Sequence, residues 1–314
     1  MKIVLLEPLA ISNEVLGKYS KELESQGHEF IAYEKDTNED VQIERAKDAD
    51  VIIIANMPLS GKVINACNNL KFINIAFTGF DHVDLEAAKA KGVAVSNASG
   101  YATQSVAELV IGYSVSLLRN IPQTDVRCRA GQTKDGLVGN ELKDKKIGIV
   151  GYGAIGKRTA ELFRAFGCNI LAYTVPECEC DGNTEFVSLE QLLKESDIIS
   201  LHCPLNDSTK GLINKESISL MKKSSFLINA ARGPVVDSQA LADALNNGSI
   251  AGAAIDVFEI EPPLATDHVL LHSRNTIVTP HIAFASKESM ELRAEIIFNS
   301  LASWIDGKQV NIVA

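Results

Sequence analysis

No stretch of the 314-residue sequence approaches the ~18 consecutive apolar residues that a transmembrane helix needs. Positive charge is in deficit: Lys plus Arg number 30 against 40 Asp plus Glu, a formal net charge of −10. Such a chain has no electrostatic footprint for a phosphate backbone, so nucleic acid is not an expected partner. Nor does it carry the basic clusters that hold proteins to anionic membranes. The opening MKIVLLEPLA has one Lys and a short apolar run broken by Glu7 and Pro8, which does not fit a secretory leader. Cysteine is sparse and scattered, at 67, 128, 168, 178, 180 and 203, with no repeated CxxC. That pattern argues against a disulfide framework and predicts reduced thiols in a cytoplasmic protein. Cys178 and Cys180 form a CxC, but no His stands nearby to complete a ligand set, so no metal site is expected. Internal repeats and low-complexity tracts are absent too.

What the chain does have is an ordinary globular composition, 46% hydrophobic and 22% charged. Its length suits two domains, each large enough to bury a core unaided. Short β-branched or aromatic runs recur from the first residues: Ile3–Leu6, Phe30–Tyr33, Val51–Ile54, Phe72–Phe77 and Val93–Val95. Helix-like segments such as Asn13–Gln26 and Asp84–Lys91 separate them. A long apolar helix is expected over Ser105–Leu118, followed by a polar stretch, Arg127–Lys146, without periodicity. A second series then starts at Ile147–Val150 and continues through Ile170–Tyr173, Ile198–Leu201, Phe226–Ile228, Ala251–Val257 and Thr276–Val278. A last helix is predicted from about Ser286 to Trp304. Continuous apolar strands alternating with helices predict parallel sheets covered on both faces, hence an α/β protein with two doubly wound domains.

The second series opens on Gly151-Tyr-Gly153-Ala-Ile-Gly156, directly after a strand and directly before a helix. That context gives the glycines a joint purpose. Gly151 permits the tight turn, Gly153 lets backbone approach a pyrophosphate, and Gly156 lets the helix pack close to the sheet. The helix N-terminus then offers N–H groups and partial positive charge to the phosphates. The acidic residue usually found at the end of the next strand is replaced by Thr174. No Arg follows to hold a 2′-phosphate, and Glu177 and Glu179 would repel one, which favours NAD while leaving NADP open.

Three later strands end in polar residues: Phe226-Leu-Ile-Asn229-Ala-Ala-Arg232-Gly, Asp256-Val-Phe-Glu-Ile-Glu261-Pro, and Thr279-Pro280-His281-Ile-Ala. In an open α/β sheet ligands bind outside the carboxyl ends of the strands. Taken singly each residue could be structural; together, downstream of a glycine turn, they suggest a reaction centre. With this set the chain closely resembles the D-isomer-specific 2-hydroxyacid dehydrogenases over essentially its whole length. The resemblance also includes Phe77-Thr-Gly79-Phe-Asp81-His-Val83-Asp84, Ser105-Val-Ala-Glu108 and His202-Cys-Pro204.

The resemblance implies roles. His281 would be the acid/base that gives a proton to the carbonyl oxygen as hydride arrives, and Glu261 its partner, fixing its tautomer and favouring its charged form. Arg232 would clamp the substrate carboxylate and polarise the carbonyl. Thr78 and Gly79 would cradle that carboxylate, and Asn56 and Met57 would border the substrate. Gly151, Gly153, Ala154, Ile155, Gly156, Thr174, Cys203, Pro204, Ala230, Ala231, Asp256 and Ala283 would line NAD together with Thr78, Arg232 and His281, Asp256 holding the nicotinamide amide. The resemblance further implies a discontinuous flavodoxin-like substrate domain, residues 1–99 plus 286–314, and a Rossmann cofactor domain, 100–285, with a cleft that closes on substrate. A homodimer formed through the cofactor domain is expected.

Relatives that grip a phosphate use arginines where this chain has Ala55-Asn-Met-Pro-Leu59 and Asn74-Ile-Ala-Phe77. The expected substrate is therefore a small or apolar 2-oxo acid or its 2-hydroxy partner, with Met57, Leu59, Phe77, Phe80 and Phe284 shaping the pocket. Two other readings stand beside this. A formate-dehydrogenase-like enzyme would lack the His–Glu pair, and Glu261 speaks against it. An NAD(H)-sensing binding protein of the same fold would bind the cofactor with little turnover. The remaining histidines (28, 82, 202, 268, 272) have no ligand spacing.

Overall fold

A computed structural model describes residues 1–175, 182–260 and 263–314. The chain divides into two compact units, Met1–Ala102 with Ala285–Ala314, and Thr103–Phe284.

In the first unit β1 (Lys2–Leu5), α1 (Asn13–Ser25), β2 (Glu29–Ala32), α2 (Glu39–Ala46), β3 (Val51–Ile54), α3 (Gly61–Ala66), β4 (Phe72–Ile75), α4 (Leu85–Ala90) and β5 (Ala94–Asn97) alternate. The strands form a parallel sheet in the order β2-β1-β3-β4-β5. β3 and β4 are buried along their whole length, which is why both read as continuous apolar runs. Ser12, Asn38 and Asp84 start their helices by accepting a backbone N–H two or three residues ahead. The predicted strand Phe72–Phe77 ends early, at Ile75, because the chain turns out of the ladder there and Asn97 Nδ2 donates to Thr78 O at 2.7 Å.

The second unit begins with α5 (Thr103–Leu118) and α6 (Ile121–Arg129), the latter running into the stretch that shows no periodicity in sequence. It continues with β6 (Lys146–Val150), α7 (Ala154–Ala165), β7 (Asn169–Tyr173), β8 (Glu185–Phe186), α8 (Leu189–Glu195), β9 (Ile198–Leu201), α9 (Lys215–Ser219), β10 (Phe226–Asn229), α10 (Ser238–Asn247), β11 (Gly252–Ile255) and β12 (Thr276–Val278). Its parallel sheet runs β12-β11-β10-β9-β6-β7-β8, two wings wound outward from β6 and β9. The expected strand Ala251–Val257 is shorter, because the carboxylate of Asp256 is claimed by a neighbouring turn (below).

The chain returns to the first unit in α11 (Lys287–Ile305), entered through a capping box in which Ser286 and Ser289 bond reciprocally. Phe298 of α11 stacks on Tyr19 at 4.0 Å and Trp304 on Phe72 at 4.8 Å. Asn74, a fully buried amide inside β4, donates to Ile297 O at 2.8 Å. The final residues pair antiparallel with β5, with Val313 N on Val95 O at 2.9 Å, and so cover an otherwise open sheet edge.

His202 follows β9, its ring 2.9 Å from Ser200 Oγ. Burial pushes its imidazole down to about 4 from the ordinary 6.5. The unfolded chain therefore takes up a proton that the fold refuses, so stability falls as pH drops from about 6.5 towards about 4. Urea unfolding at about pH 7, 5.5 and 4.5 should show this loss, and it should be smaller in His202→Asn.

Candidate active site

β6 and β9 are neighbours at the point where the strand order of the second unit reverses, so a crevice opens at their carboxyl ends. The glycine turn sits there. Gly151 has φ +93°, and a Cβ on it would stand 2.6 Å from the Cys203 nitrogen. A Cβ on Gly156 would run into the Gly151 carbonyl. Gly153 differs: a Cβ there would meet nothing within 4 Å. Gly153 is also the residue before α7, and no side chain caps the helix. The first turn of α7 thus begins with uncapped N–H groups beside open space, with Ala154 exposed and Ile155 half-buried. A dinucleotide pyrophosphate fits this donor set and this opening.

Cys203 and Pro204 leave β9 against Gly151. Burial pushes the Cys203 thiol up to about 11, so it is a neutral wall and no nucleophile. Cys67 and Cys168 are likewise raised to about 11 by burial. Among the described residues the cysteines are free and no His/Cys/Asp/Glu group could hold a metal. Thr174 lies one residue past β7, half-buried. Glu177, Glu179, Cys178 and Cys180 lie outside the described residues.

β10, β11 and β12 are consecutive neighbours in the sheet, and each sends one of the sequence-predicted segments from its carboxyl end. After β10, buried Asn229 organises the loop: Oδ1 accepts from Ala231 N at 3.1 Å, and Nδ2 donates to Arg232 O at 3.0 Å. Arg232 is half-buried and donates from Nη1 to Ala231 O at 2.8 Å. Ala230 is half-buried and Ala231 buried beside it. Gly233 must be glycine, because its Cβ would collide with the Phe258 carbonyl that leaves β11. Glu261 follows β11 in sequence and, with Pro262, lies outside the described residues, so the His281–Glu261 pair is not described.

Asp256 directly follows β11, its carboxylate fully buried. Oδ1 accepts from Ile282 N at 2.8 Å and Thr279 Oγ1 at 2.6 Å, with the Tyr113 hydroxyl at 3.3 Å; Oδ2 accepts from Ala283 N at 2.8 Å. Tyr113 Oη and Thr279 Oγ1 are 2.5 Å apart. Asp256 O also accepts from His281 N at 2.7 Å. The turn Thr279–Ala283 is thereby wrapped around one carboxylate, and inside it His281 adopts a left-handed backbone, φ +55°. The imidazole, half-buried, meets Phe284 edge-on at 5.1 Å. A carboxylate offers about four lone-pair sites. Those of Asp256 are largely taken by the turn, so its first task in this structure is to shape the His281 segment.

In the first unit Thr78 and Gly79 are half-buried after β4, and among the described residues nothing accepts from their backbone N–H groups. Asn56 is half-buried, whereas the side chains of Met57 and Leu59 lie wholly in the core of that unit. Phe77 is buried and Phe80 exposed. Glu7, unassigned in sequence, is buried and accepts from Ala55 N and Met57 N. Its only signal is that it interrupts the first apolar run. Tyr113 carries no signal beyond being the one phenol in an apolar helix. Lys35 brings a cation to Asn56 that the local stretch lacks.

Comparison with known proteins agrees with this geometry. Residues 111–283, within the second unit, match the D-isomer specific 2-hydroxyacid dehydrogenase, NAD binding domain. The chain is 36% identical to a hydroxypyruvate reductase of Blautia hydrogenotrophica, over 100% of this chain and 99% of that protein. It is 41% identical to a glyoxylate reductase of Thermofilum pendens, over 84% and 80%. An acyclic imino acid reductase in complex with NADPH and D-Arg superposes with a TM-score of 0.92 at 29% identity, each chain covered fully. The D-lactate dehydrogenase of Aquifex aeolicus, complexed with NAD and lactic acid, does so at 0.86 and 31%, over 98% and 96%. The chain therefore belongs to the D-isomer specific 2-hydroxyacid dehydrogenases, oxidoreductases whose NAD-binding domain is the second unit of this fold.

Proposed function

We propose that the protein moves a hydride reversibly between NAD(H) and a small or apolar D-2-hydroxy acid/2-oxo acid pair. The observation that carries this reading is the adjacency of β10, β11 and β12, with Arg232 following the first and His281 the last; Glu261 follows β11 in sequence. When bound, the nicotinamide supplies or accepts the hydride. Everything else is asked of the chain. The N–H groups at Gly153–Gly156 take the pyrophosphate, and Ala154, Ile155, Thr174, Cys203, Pro204, Ala230, Ala231 and Ala283 line the cofactor. Arg232 binds the substrate carboxylate as a fixed cation, and Thr78 and Gly79 offer it backbone N–H groups. As hydride reaches the carbonyl carbon, negative charge grows on oxygen. His281 donates its proton there, and Glu261 favours the charged imidazole beforehand. Asp256, through the turn it holds, keeps His281 in place.

NAD is favoured over NADP because Thr174 brings no cation for a 2′-phosphate. A homodimer through the second unit would cover Ile121, Val126 and Val138, apolar side chains that this unit leaves exposed. Reduced thiols fit a cytoplasmic setting, and no helix among the described residues is long and apolar enough to cross a membrane.

Steady-state kinetics with both cofactors over hydroxypyruvate, glyoxylate, pyruvate, branched and aromatic 2-oxo acids and 3-phosphohydroxypyruvate tests the reading. NADH should outperform NADPH, and an unphosphorylated acid should be best. Clear preference for the phosphorylated acid would overturn the substrate assignment. Tight NADH binding without turnover would mark a sensor instead. His281→Ala should lower kcat by about 100- to 10,000-fold, the contribution of a positioned acid/base. Glu261→Gln should move the low-pH limb of hydroxy acid oxidation to lower pH, and an unmoved limb would refute the pairing. In sedimentation analysis the wild type should run as a dimer and Val126→Asp as a monomer.

A further inference from the structure

α5 packs against β10 and β11 of its own unit, and Tyr113 is among the side chains it buries. The Tyr113 hydroxyl lies 2.5 Å from Thr279 Oγ1 and 3.3 Å from Asp256 Oδ1. Which of the two hydroxyls donates is settled by the third member. Thr279 Oγ1 gives its single proton to Asp256 Oδ1 at 2.6 Å, because a carboxylate only accepts. Tyr113 must therefore donate to Thr279, and the bonds run in one direction, from phenol to hydroxyl to carboxylate. Burial and the charge of Asp256 push the phenol's pKa up, so Tyr113 keeps the proton it donates.

The turn Thr279–Ala283 directs its backbone donors at two consecutive residues. Thr279 N donates to Ile255 O at 3.0 Å and His281 N to Asp256 O at 2.7 Å. Ile282 N and Ala283 N donate to the Asp256 carboxylate, both at 2.8 Å. Pro280 has no N–H. Rotation about the Cβ–Cγ bond of an Asp is soft, so a carboxylate and a turn bonded only to each other would pivot together. Among the described residues Tyr113 is the one side chain outside the turn that bonds to this pair, and it comes from a different element. Hydrogen bonds in a chain polarise one another, so loss of the first weakens the second.

We propose that Tyr113 is a positioning residue for proton transfer: its hydroxyl, donating through Thr279 to Asp256, locks the turn that carries His281 to α5. This rests on the reading of His281 as the acid/base and adds the residue that fixes where its imidazole stands. Tyr113 acts through Thr279 and Asp256, not on the reacting atoms. An imidazole left to drift meets the carbonyl oxygen in the right geometry less often, so the loss falls on the chemical step.

Tyr113→Phe tests this, since it keeps the ring and deletes only the hydroxyl. With NADH and the best 2-oxo acid, kcat should fall about tenfold, the upper value of one neutral hydrogen bond. The dissociation constant for NADH, read by fluorescence, should stay within about twofold. The primary isotope effect with NADH deuterated at C4 should rise, because chemistry slows relative to binding and release. Partial unfolding would lower the rate and leave the isotope effect as it was. Thr279→Val should reproduce the loss, and the double variant should fall well short of the product of the two single losses, because both break one chain. Without any ligand, the His281 imidazole signal in 1H–13C spectra, assigned by its absence from His281→Ala, should shift in Tyr113→Phe. An unchanged kcat or an unmoved His281 signal overturns the proposal, as do losses that multiply in the double variant or that track weakened NADH binding. A wild type that turns over no 2-oxo acid while the His281 signal still responds to Tyr113→Phe defeats the acid/base reading instead, a result distinct from an unmoved signal.

Discussion

The buried carboxylate of Asp256 is the interaction on which the turn carrying His281, the proposed acid/base, depends. A charge removed from water is costly unless donors replace its hydration, and here two backbone N–H groups and a hydroxyl do so, with a phenol nearby. The donors come from four residues between Tyr113 and Ala283, which the carboxylate ties together. The left-handed backbone at His281 costs about 1–3 kcal/mol for a residue with a Cβ. It persists because the flanking N–H groups have no better acceptor than the one β11 delivers. His281, the proposed proton-transfer group, thus stands on a turn that cannot relax without exposing an ion to an apolar interior.

The same device recurs at other strand ends. Asn229 bonds both sides of the loop that carries Arg232, and Glu7 bonds both sides of Asn56. Inside a parallel sheet each strand's backbone is satisfied by its neighbours, but where a strand stops the N–H and C=O groups lose their partners. A short polar side chain just beyond the stop supplies them and fixes the loop in one conformation. Functional side chains can then be carried on loops that are as well determined as the strands.

These devices explain what the sequence discloses and what it conceals. Doubly buried strands such as β3 and β4 are legible because burial on both faces demands an unbroken apolar run. The glycine turn is legible because its spacing is dictated by local geometry. The anchors are different. Tyr113 meets Asp256 across 143 positions of chain, and nothing within its helix says that its hydroxyl is used. Met57 sits in a segment with the right neighbours, yet its side chain falls on the core face and only its N–H contributes to the loop. Lys35 is invisible as a neighbour of Asn56 until β2 and β3 are known to flank β1. The order of strands and helices can be read from sequence; where a strand stops, which face a side chain takes and which distant group it meets are decided by packing.

The three glycines of the turn separate what the fold requires from what a ligand requires. Gly151 and Gly156 are explained by the protein alone, since a methyl group on either would strike its own backbone. Gly153 is not, because a side chain there would project into vacant space without cost to packing. Its φ of −76° is open to any residue as well, so conformational freedom does not explain it either. The proposed cofactor gives the absence of a side chain at this position a reason, since it would have to come close to the backbone at the start of α7. A pyrophosphate is such an object: it needs N–H donors at hydrogen-bond distance, and a Cβ at the helix entrance would hold it off. In the proposed cofactor role Gly153 is therefore the glycine of the turn that the fold alone does not explain, and the fold would lose little by its replacement.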